Sequence, residues 1–260
     1  MASVHFDFAG ETVVITGASR GIGLGVAEAF AKAGGEVWLL AEDDAVHEAA
    51  SRLSERTRTS VGAIQADIRK AEQLEAALAD IPEIDVLVNN AGLELITPLA
   101  DNDPATLETF RTITDVNVNG SFQMTRAALA KIPRGGRILF TASIWSRTAV
   151  SEFSAYVASK HAVLGLTRSL AHELGPRGIT VNAVCPGWVR TAASMRSLAA
   201  MANRTGRSED HLLREVVAAQ VLDGLMEPAD IAQTYLFLAS PAAANITGQG
   251  IVVDRGEIMA

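Results

Sequence analysis

Seven short, almost uninterruptedly apolar runs, separated by alanine-rich stretches of helical length, constrain this chain more than any other feature. They cover residues 12–16, 37–40, 61–65, 85–88, 137–141, 180–184 and 250–253. A strand with one face in water alternates apolar and polar residues, whereas a strand covered on both faces has no reason to alternate. The stretches between them, 21–33, 43–58, 70–79, 104–131, 155–174 and 228–238, read as helices, with 104–131 either two helices or one bent helix. Pro104 after Asp103, and Pro228 after Glu227, suit first turns. The βα order repeats without a linker or low-complexity block. The expected architecture is therefore one α/β domain over 1–260, a doubly wound seven-stranded parallel sheet with helices on both faces. Residues 190 to about 224 break the rhythm, and an insertion of that length is expected to be a lid over a binding site.

Composition narrows the partners. Hydrophobic residues make up 48% of the 260 positions and charged residues 20%, which is globular and far from disordered. A net charge of −8 has the wrong sign for nucleic acid or an anionic membrane surface. Cys185 stands alone, so neither an internal disulfide nor a cysteine-based metal site is expected, and the usage suits a reducing compartment. The first residues lack a basic-then-apolar leader, and no apolar run reaches bilayer length. A cytoplasmic protein without metal, membrane or nucleic-acid partners is the expectation.

The first apolar run leads directly into Thr16-Gly17-Ala18-Ser19-Arg20-Gly21-Ile22-Gly23 and then into a helix. Gly17 permits a tight turn, Gly21 lets backbone approach a pyrophosphate, and Gly23 lets the helix pack close to the sheet. The unpaired N–H groups and positive dipole end of that helix would hold the phosphate charge. Tyr156 and Lys160 lie four apart on a predicted helix, hence on one face. A free tyrosine has a pKa of about 10 and is a poor base near neutrality, and a neighbouring ammonium would lower it.

The glycine spacing is G-x-x-x-G-x-G, and further motifs follow in order: Asn89-Asn90-Ala91-Gly92, Asn117 in Asp-Val-Asn-Val-Asn-Gly, Ser143, Tyr156-Val-Ala-Ser-Lys160, and Pro186-Gly187-Trp188-Val189-Arg190-Thr191. From first strand to last, the chain resembles the short-chain dehydrogenase/reductase (SDR) family. That resemblance implies a Rossmann fold and hydride transfer between a nicotinamide cofactor and a secondary alcohol or ketone, such as a sugar, polyol or hydroxy acid. It also implies a homotetramer. Tyr156 would be the acid/base and Lys160 its partner and ribose ligand. Ser143 would bind the substrate oxygen, and Asn117 would hold a water in the proton relay. Cofactor contacts are implied for Gly17, Ser19, Arg20, Gly21, Ile22, Gly23, Glu42, Asp67, Ile68, Asn90, Ala91, Gly92, Tyr156, Lys160, Pro186, Gly187, Val189 and Thr191, with Asp67 against adenine.

NAD is favoured over NADP because Glu42 falls where many NADP-using members place Arg. Ala41, however, replaces the Asp of many NAD-using members, and Arg20 could meet a 2′-phosphate. Substrate contacts are expected from Ser143, Trp145, Arg147, Phe153, Tyr156 and Trp188, with Glu94, Ile144 and Met195 as further wall candidates. Arginines 190, 196, 204, 207 and 214 against Glu209 and Asp210 give residues 190–214 a net +3, which suggests a positive cover suited to an anionic substrate or the cofactor phosphates. Arg255 stands where the family usually has Gly, so the backbone there must avoid positive φ or bear strain. Two other readings stay open. One is an NADPH-dependent 3-oxoacyl ketoreductase of the acyl-carrier-protein type, which shares the Thr-Gly-Ala-Ser-Arg-Gly-Ile-Gly turn. The other is a non-catalytic dinucleotide-sensing regulatory protein, disfavoured because Asn117, Ser143, Tyr156 and Lys160 are all present.

Overall fold

The computed structural model describes residues 5–259; residues 1–4 and 260, the extreme ends of the expected domain, lie outside them. Strands β1 (Thr12–Thr16), β2 (Glu36–Ala41), β3 (Val61–Gln65), β4 (Val86–Asn89), β5 (Arg137–Thr141), β6 (Thr180–Pro186) and β7 (Gly250–Val253) form one sheet in the order 3-2-1-4-5-6-7. Every pairing is parallel. Successive side chains of a strand point to opposite faces, and here both faces are buried. Val13 and Ile15 enter one core and Val14 the other, all fully buried. This accounts for the continuous apolar runs.

Helices α1 (Gly21–Lys32), α2 (Ala45–Thr57) and α9 (Pro228–Ala239) fill the first face with Phe30, Leu53 and Tyr235. The opposite face takes α3 (Ala71–Ala77), α5 (Ser121–Ala128) and α6 (Ser154–Leu174) through Leu74, Met124 and Val163. Large apolar side chains buried in this way contribute roughly 1.5–3 kcal/mol each.

The stretch expected as two helices or one bent helix is α4 (Pro104–Thr114), a widened π-helical turn over Asp115–Gly120, and then α5. Asp103 starts α4 by accepting from Ala105 N at 2.9 Å, with Pro104 in the first turn. The widened turn carries Asn117, whose side chain is held by the backbone of Leu93: Oδ1 accepts from its N at 2.7 Å and Nδ2 donates to its O at 3.0 Å.

The insertion is no loop. It folds as α7 (Ala192–Thr205) and α8 (Glu209–Ala218), started by the hydroxyls of Thr191 and Ser208. These helices enclose a small core of Trp188, Leu198, Ala202 and Leu212. Its two ends meet, since Val189 bridges Met226 and Arg190 N donates to Met226 O at 2.8 Å. The insertion therefore begins and ends at one point, just beyond β6.

Arg255 takes the strained alternative, at φ 59°. Left-handed backbone costs a non-glycine residue roughly 1–2 kcal/mol. The contacts that offset it tie down the end of the insertion: Arg255 O accepts from Val221 N and Leu222 N, and its guanidinium bonds Asp223 O.

Candidate active site

Strand order reverses between β1 and β4, and in doubly wound sheets the crevice beyond the carboxyl ends at such a point is where ligands sit. One large cleft opens there, and it continues into a smaller pocket under the insertion.

The larger cleft is walled by the glycine turn. Gly17 has φ 63°, and a Cβ on it would lie 2.7 Å from Ala91 Cα; a Cβ on Gly23 would lie 2.5 Å from Asn90 Nδ2 and against Gly17 O. Asn90 locks the turn, with Nδ2 donating to Thr16 O at 3.0 Å and to Gly17 O at 3.1 Å. The Thr16 hydroxyl accepts from the backbone N of both Asn90 and Ala91 at 3.0 Å. This cradle has room for backbone and phosphate and none for side chains. At the β2 and β3 ends, Glu42 pairs with Arg69 at 3.0 Å, Arg69 grips Asp67 at 2.8 Å, and Arg20 pairs with Asp43 at 3.0 Å. Burial would raise the Asp67 carboxyl, but the Arg69 guanidinium outweighs it and holds the group below its ordinary range.

Ser143, Tyr156 and Lys160 converge where cleft and pocket join. The Ser143 hydroxyl accepts from Trp145 N at 3.1 Å, which leaves its own proton free to donate, and it lies beside the Tyr156 phenol. Lys160 Nζ donates to Thr141 O at 2.7 Å and sits 5.5 Å from the centre of the Tyr156 ring. An ammonium has three N–H groups, so the remainder face the cleft. The Asn117 amide also donates to Ser159 Oγ at 2.9 Å. With its side chain fully engaged, Asn117 has only backbone to offer a water.

The titration pattern departs from expectation. Burial pushes the Tyr156 phenol well above its ordinary value, with Glu94 adding to the rise and Ser143 opposing it; burial lowers Lys160 to about 8. Burial, the largest influence on the phenol, overrides the lowering that the i,i+4 spacing suggested.

A family model described as enoyl-(acyl carrier protein) reductase matches residues 17–257. The D-beta-hydroxybutyrate dehydrogenase of Cupriavidus necator is 34% identical over 254 residues, covering 95% of this chain and 97% of that protein. This chain belongs to the short-chain dehydrogenase/reductase family. Among solved SDR-like structures, L-sorbose reductase from Gluconobacter frateurii, complexed with NADPH and L-sorbose, superposes with a TM-score of 0.89 at 26% identity over 99% of this chain and 100% of that one. Carveol dehydrogenase from Mycobacterium avium, in complex with NAD, gives 0.88 at 27% over 97% and 99%. As an SDR, the chain is an NAD(P)-dependent oxidoreductase acting on alcohols or ketones.

Of the residues singled out for the cofactor, Gly17, Ser19, Arg20, Gly21, Ile22, Glu42, Asp67, Ile68, Asn90, Ala91, Gly92, Tyr156, Lys160 and Thr191 line the larger cleft of this SDR. Gly23 lies just beneath it, and Pro186, Gly187 and Val189 line the smaller pocket instead. Ser143, Ile144, Trp145, Tyr156, Trp188 and Glu94 also line that pocket.

Two expected substrate contacts are not brought there. Arg147 Nη2 donates to Gly250 O at 2.8 Å, and its charge lies against Cys185. Phe153 is fully buried with its ring 5.4 Å from that of Trp145. Nor is the insertion a positive cover. Arg190 pairs with Glu227 at 2.9 Å, Arg204 with Glu152 at 2.7 Å, and Arg207 with Glu215; of the five arginines only Arg196 lines the cleft. Sequence reasoning missed Arg69, although it stands only two residues after Asp67. It also missed Tyr235, whose hydroxyl meets Thr141 Oγ1 at 2.6 Å beneath the carbonyl that holds Lys160. Nothing local to α9 signals that contact.

Among the described residues no helix is long and apolar enough to cross a membrane, and no group of three or more His, Cys, Asp or Glu is placed to hold a metal.

Proposed function

We propose that this SDR interconverts a secondary alcohol, namely a sugar, polyol or hydroxy acid, with its ketone, using Tyr156 as the acid/base. The observation that carries this reading is the convergence of Ser143, Tyr156 and Lys160 at the junction of a large cleft at the strand-order reversal and a small pocket. The fit of the larger cleft to a nicotinamide dinucleotide rests on the glycine turn, which packs without side chains against Ala91 and Asn90 and so brings the N-terminus of α1, with its unpaired N–H groups, to the cleft wall. The bound cofactor supplies the acceptor or donor of hydride. The chain's own residues handle the proton. Ser143 donates its free O–H to the substrate oxygen and steadies the charge that develops there. Tyr156, kept protonated by its burial, gives its proton to that oxygen during reduction and recovers it during oxidation. Lys160, fixed by Thr141 O, turns its remaining N–H groups to the ribose side of the cleft and offsets charge on the phenolate. Asn117, with its amide occupied by Leu93 and Ser159, presents a backbone oxygen to the relay water.

NAD is the proposed cofactor. Glu42 and Asp43 stand at the carboxyl end of β2, where an acid accepts from a ribose 2′-hydroxyl and repels a 2′-phosphate. Arg20 and Arg69, the cations nearby, are each paired with an acid. The test is steady-state turnover of an alcohol and ketone panel with both cofactors, for wild type and Glu42→Arg. Wild type is expected to favour NAD, and Glu42→Arg to move the NAD/NADP ratio of kcat/KM toward NADP by at least about tenfold, or about 1.4 kcal/mol. An unmoved ratio would remove Glu42 from cofactor choice. A homotetramer is part of the proposal, supported by the exposed Leu107, Phe110 and Phe122 on α4 and α5.

A further inference from the structure

The pocket beneath the insertion has one charged side chain in its lining, and that charge is negative: Glu94. It follows the Asn-Asn-Ala-Gly motif by two residues, so the β4 end that walls the cofactor cleft also delivers this carboxyl to the substrate side. It is felt by both members of the catalytic pair, raising the Tyr156 phenol and favouring the Lys160 ammonium. Burial raises the Glu94 carboxyl above its ordinary value, while Ser197 and Arg196, from α7, and Lys160 favour its charged form. The other polar side-chain groups of the pocket are hydroxyls and the indole N–H groups of Trp145 and Trp188, and much of its wall is aromatic. Trp145 stands edge-on to both Trp188, at 6.3 Å, and Tyr156, at 5.9 Å.

We propose that Glu94 sets the substrate class: it accepts a hydrogen bond from a second hydroxyl of an uncharged, polyhydroxylated alcohol or ketone and excludes hydroxy acids, whose carboxylate would meet a like charge. This rests on the oxidoreductase reading of the site and narrows it. A carboxylate is acceptor-only, so it pairs with hydroxyls and has nothing to offer another carboxylate. Like charges brought together away from bulk water repel strongly. The arginines that might have neutralised an acidic substrate do not enter the pocket. Arg190, Arg204 and Arg207 are spent on Glu227, Glu152 and Glu215, and Arg147 on the β7 backbone, while Arg196 lines the cofactor cleft. Indole faces suit the C–H surface of a carbon chain whose hydroxyls point to Glu94, Ser143 and Tyr156. The hydroxybutyrate dehydrogenase of Cupriavidus necator, similar along its whole length, thus differs from this chain in the sign of substrate it is proposed to accept.

The test compares kcat/KM for a pentitol, a hexitol, 3-hydroxybutyrate and an amino alcohol of matched length, using wild type, Glu94→Gln and Glu94→Ala. NADH fluorescence titration checks that each variant keeps its cofactor cleft. Wild type is expected to prefer the polyols over 3-hydroxybutyrate by at least about tenfold. Glu94→Gln should shift that ratio toward 3-hydroxybutyrate by about tenfold or more, mainly through KM, with Glu94→Ala shifting it in the same direction. A wild-type preference for 3-hydroxybutyrate or for the amino alcohol, or a ratio that neither substitution moves, would overturn the proposal. Failure of wild type to turn over any alcohol or ketone while still binding NADH would instead overturn the oxidoreductase reading itself, and this proposal with it.

Discussion

Around the glycine turn of the larger cleft, proposed to take the cofactor, backbone makes the wall. In the substrate half, side chains from residues far apart in sequence make it. Gly17, Gly23, Asn90 and Ala91 meet so closely that a single added Cβ would collide with backbone or with an amide already bonded twice. Such a site has few sequence solutions, and it is written in the chain as a short string. The pocket under the insertion draws Glu94 from the β4 end, Trp145 from the β5 end and Trp188 from the β6 end, with Ser194 from α7. Its aromatic walls rest on a core of Leu198, Ala202 and Leu212 supplied by the insertion. Many sequences fill such a space, so the half that repeats across a family is legible and the half that distinguishes its members is not.

Substitutions should separate the two halves. The largest effect on cofactor binding is expected at Gly23→Ala, where overpacking against Gly17 O and Asn90 costs roughly 1–3 kcal/mol. NADH affinity should fall about tenfold to a hundredfold by fluorescence titration, and an unaffected affinity would show that the cradle is not where the cofactor sits. Next comes Leu198→Ala in α7, 2% exposed inside the insertion's own core. Substrate KM should rise about tenfold while NADH affinity changes less than about twofold, since the lost packing lies on one side only. A parallel loss of NADH binding would mean that the halves are not separate.

The pH profile follows. Burial lowers Lys160 to about 8, so its ammonium is lost as pH rises through that value. In stopped-flow or steady-state assays, kcat/KM for ketone reduction should hold below pH 8 and fall along a one-proton limb above it, and Lys160→Met should abolish the limb. The smallest effect is expected at Glu257, beside Asp254 after β7, where burial and then that neighbour raise the carboxyl to about 7. Because the folded value exceeds the ordinary 4.5, the folded state holds a proton between those values that the unfolded state has lost. Stability therefore falls as pH rises from about 4.5 through 7. Glu257→Gln should raise Tm at pH 8, by about 1 kcal/mol in stability once solvent screening is allowed for, and should gain nothing at pH 4.

All seven strands were legible as apolar runs: the inner five because burial on both faces leaves a composition that little else produces, and the half-buried edge strands β3 and β7 by their place in the βα order. The glycine turn and the Tyr-Lys helix were legible because they are local. The widened turn at Asp115–Gly120 was not, since a slipped hydrogen-bond register leaves no mark in composition; it is held open by Leu93, a contact across 24 positions. The two helices of the insertion had readable starts, with Thr191 three before Ser194 and Ser208 before Glu209, yet only its length was used, which suggested a lid without its internal structure. Arg147 and Phe153 misled by nearness in sequence to Ser143 and Tyr156. A side chain a few positions from a catalytic residue points wherever the local backbone sends it, and here that is toward β7 and into the core.

The account's central claim is that one cleft binds the dinucleotide with its backbone-walled half and does chemistry only where Tyr156 meets the substrate half. Measuring NADH affinity and turnover on the same preparation of Tyr156→Phe tests it most directly. We expect kcat/KM to fall at least about a thousandfold while NADH binds within about threefold of wild type, because the substitution removes a proton and little volume. Turnover at the wild-type level in that variant would contradict the account.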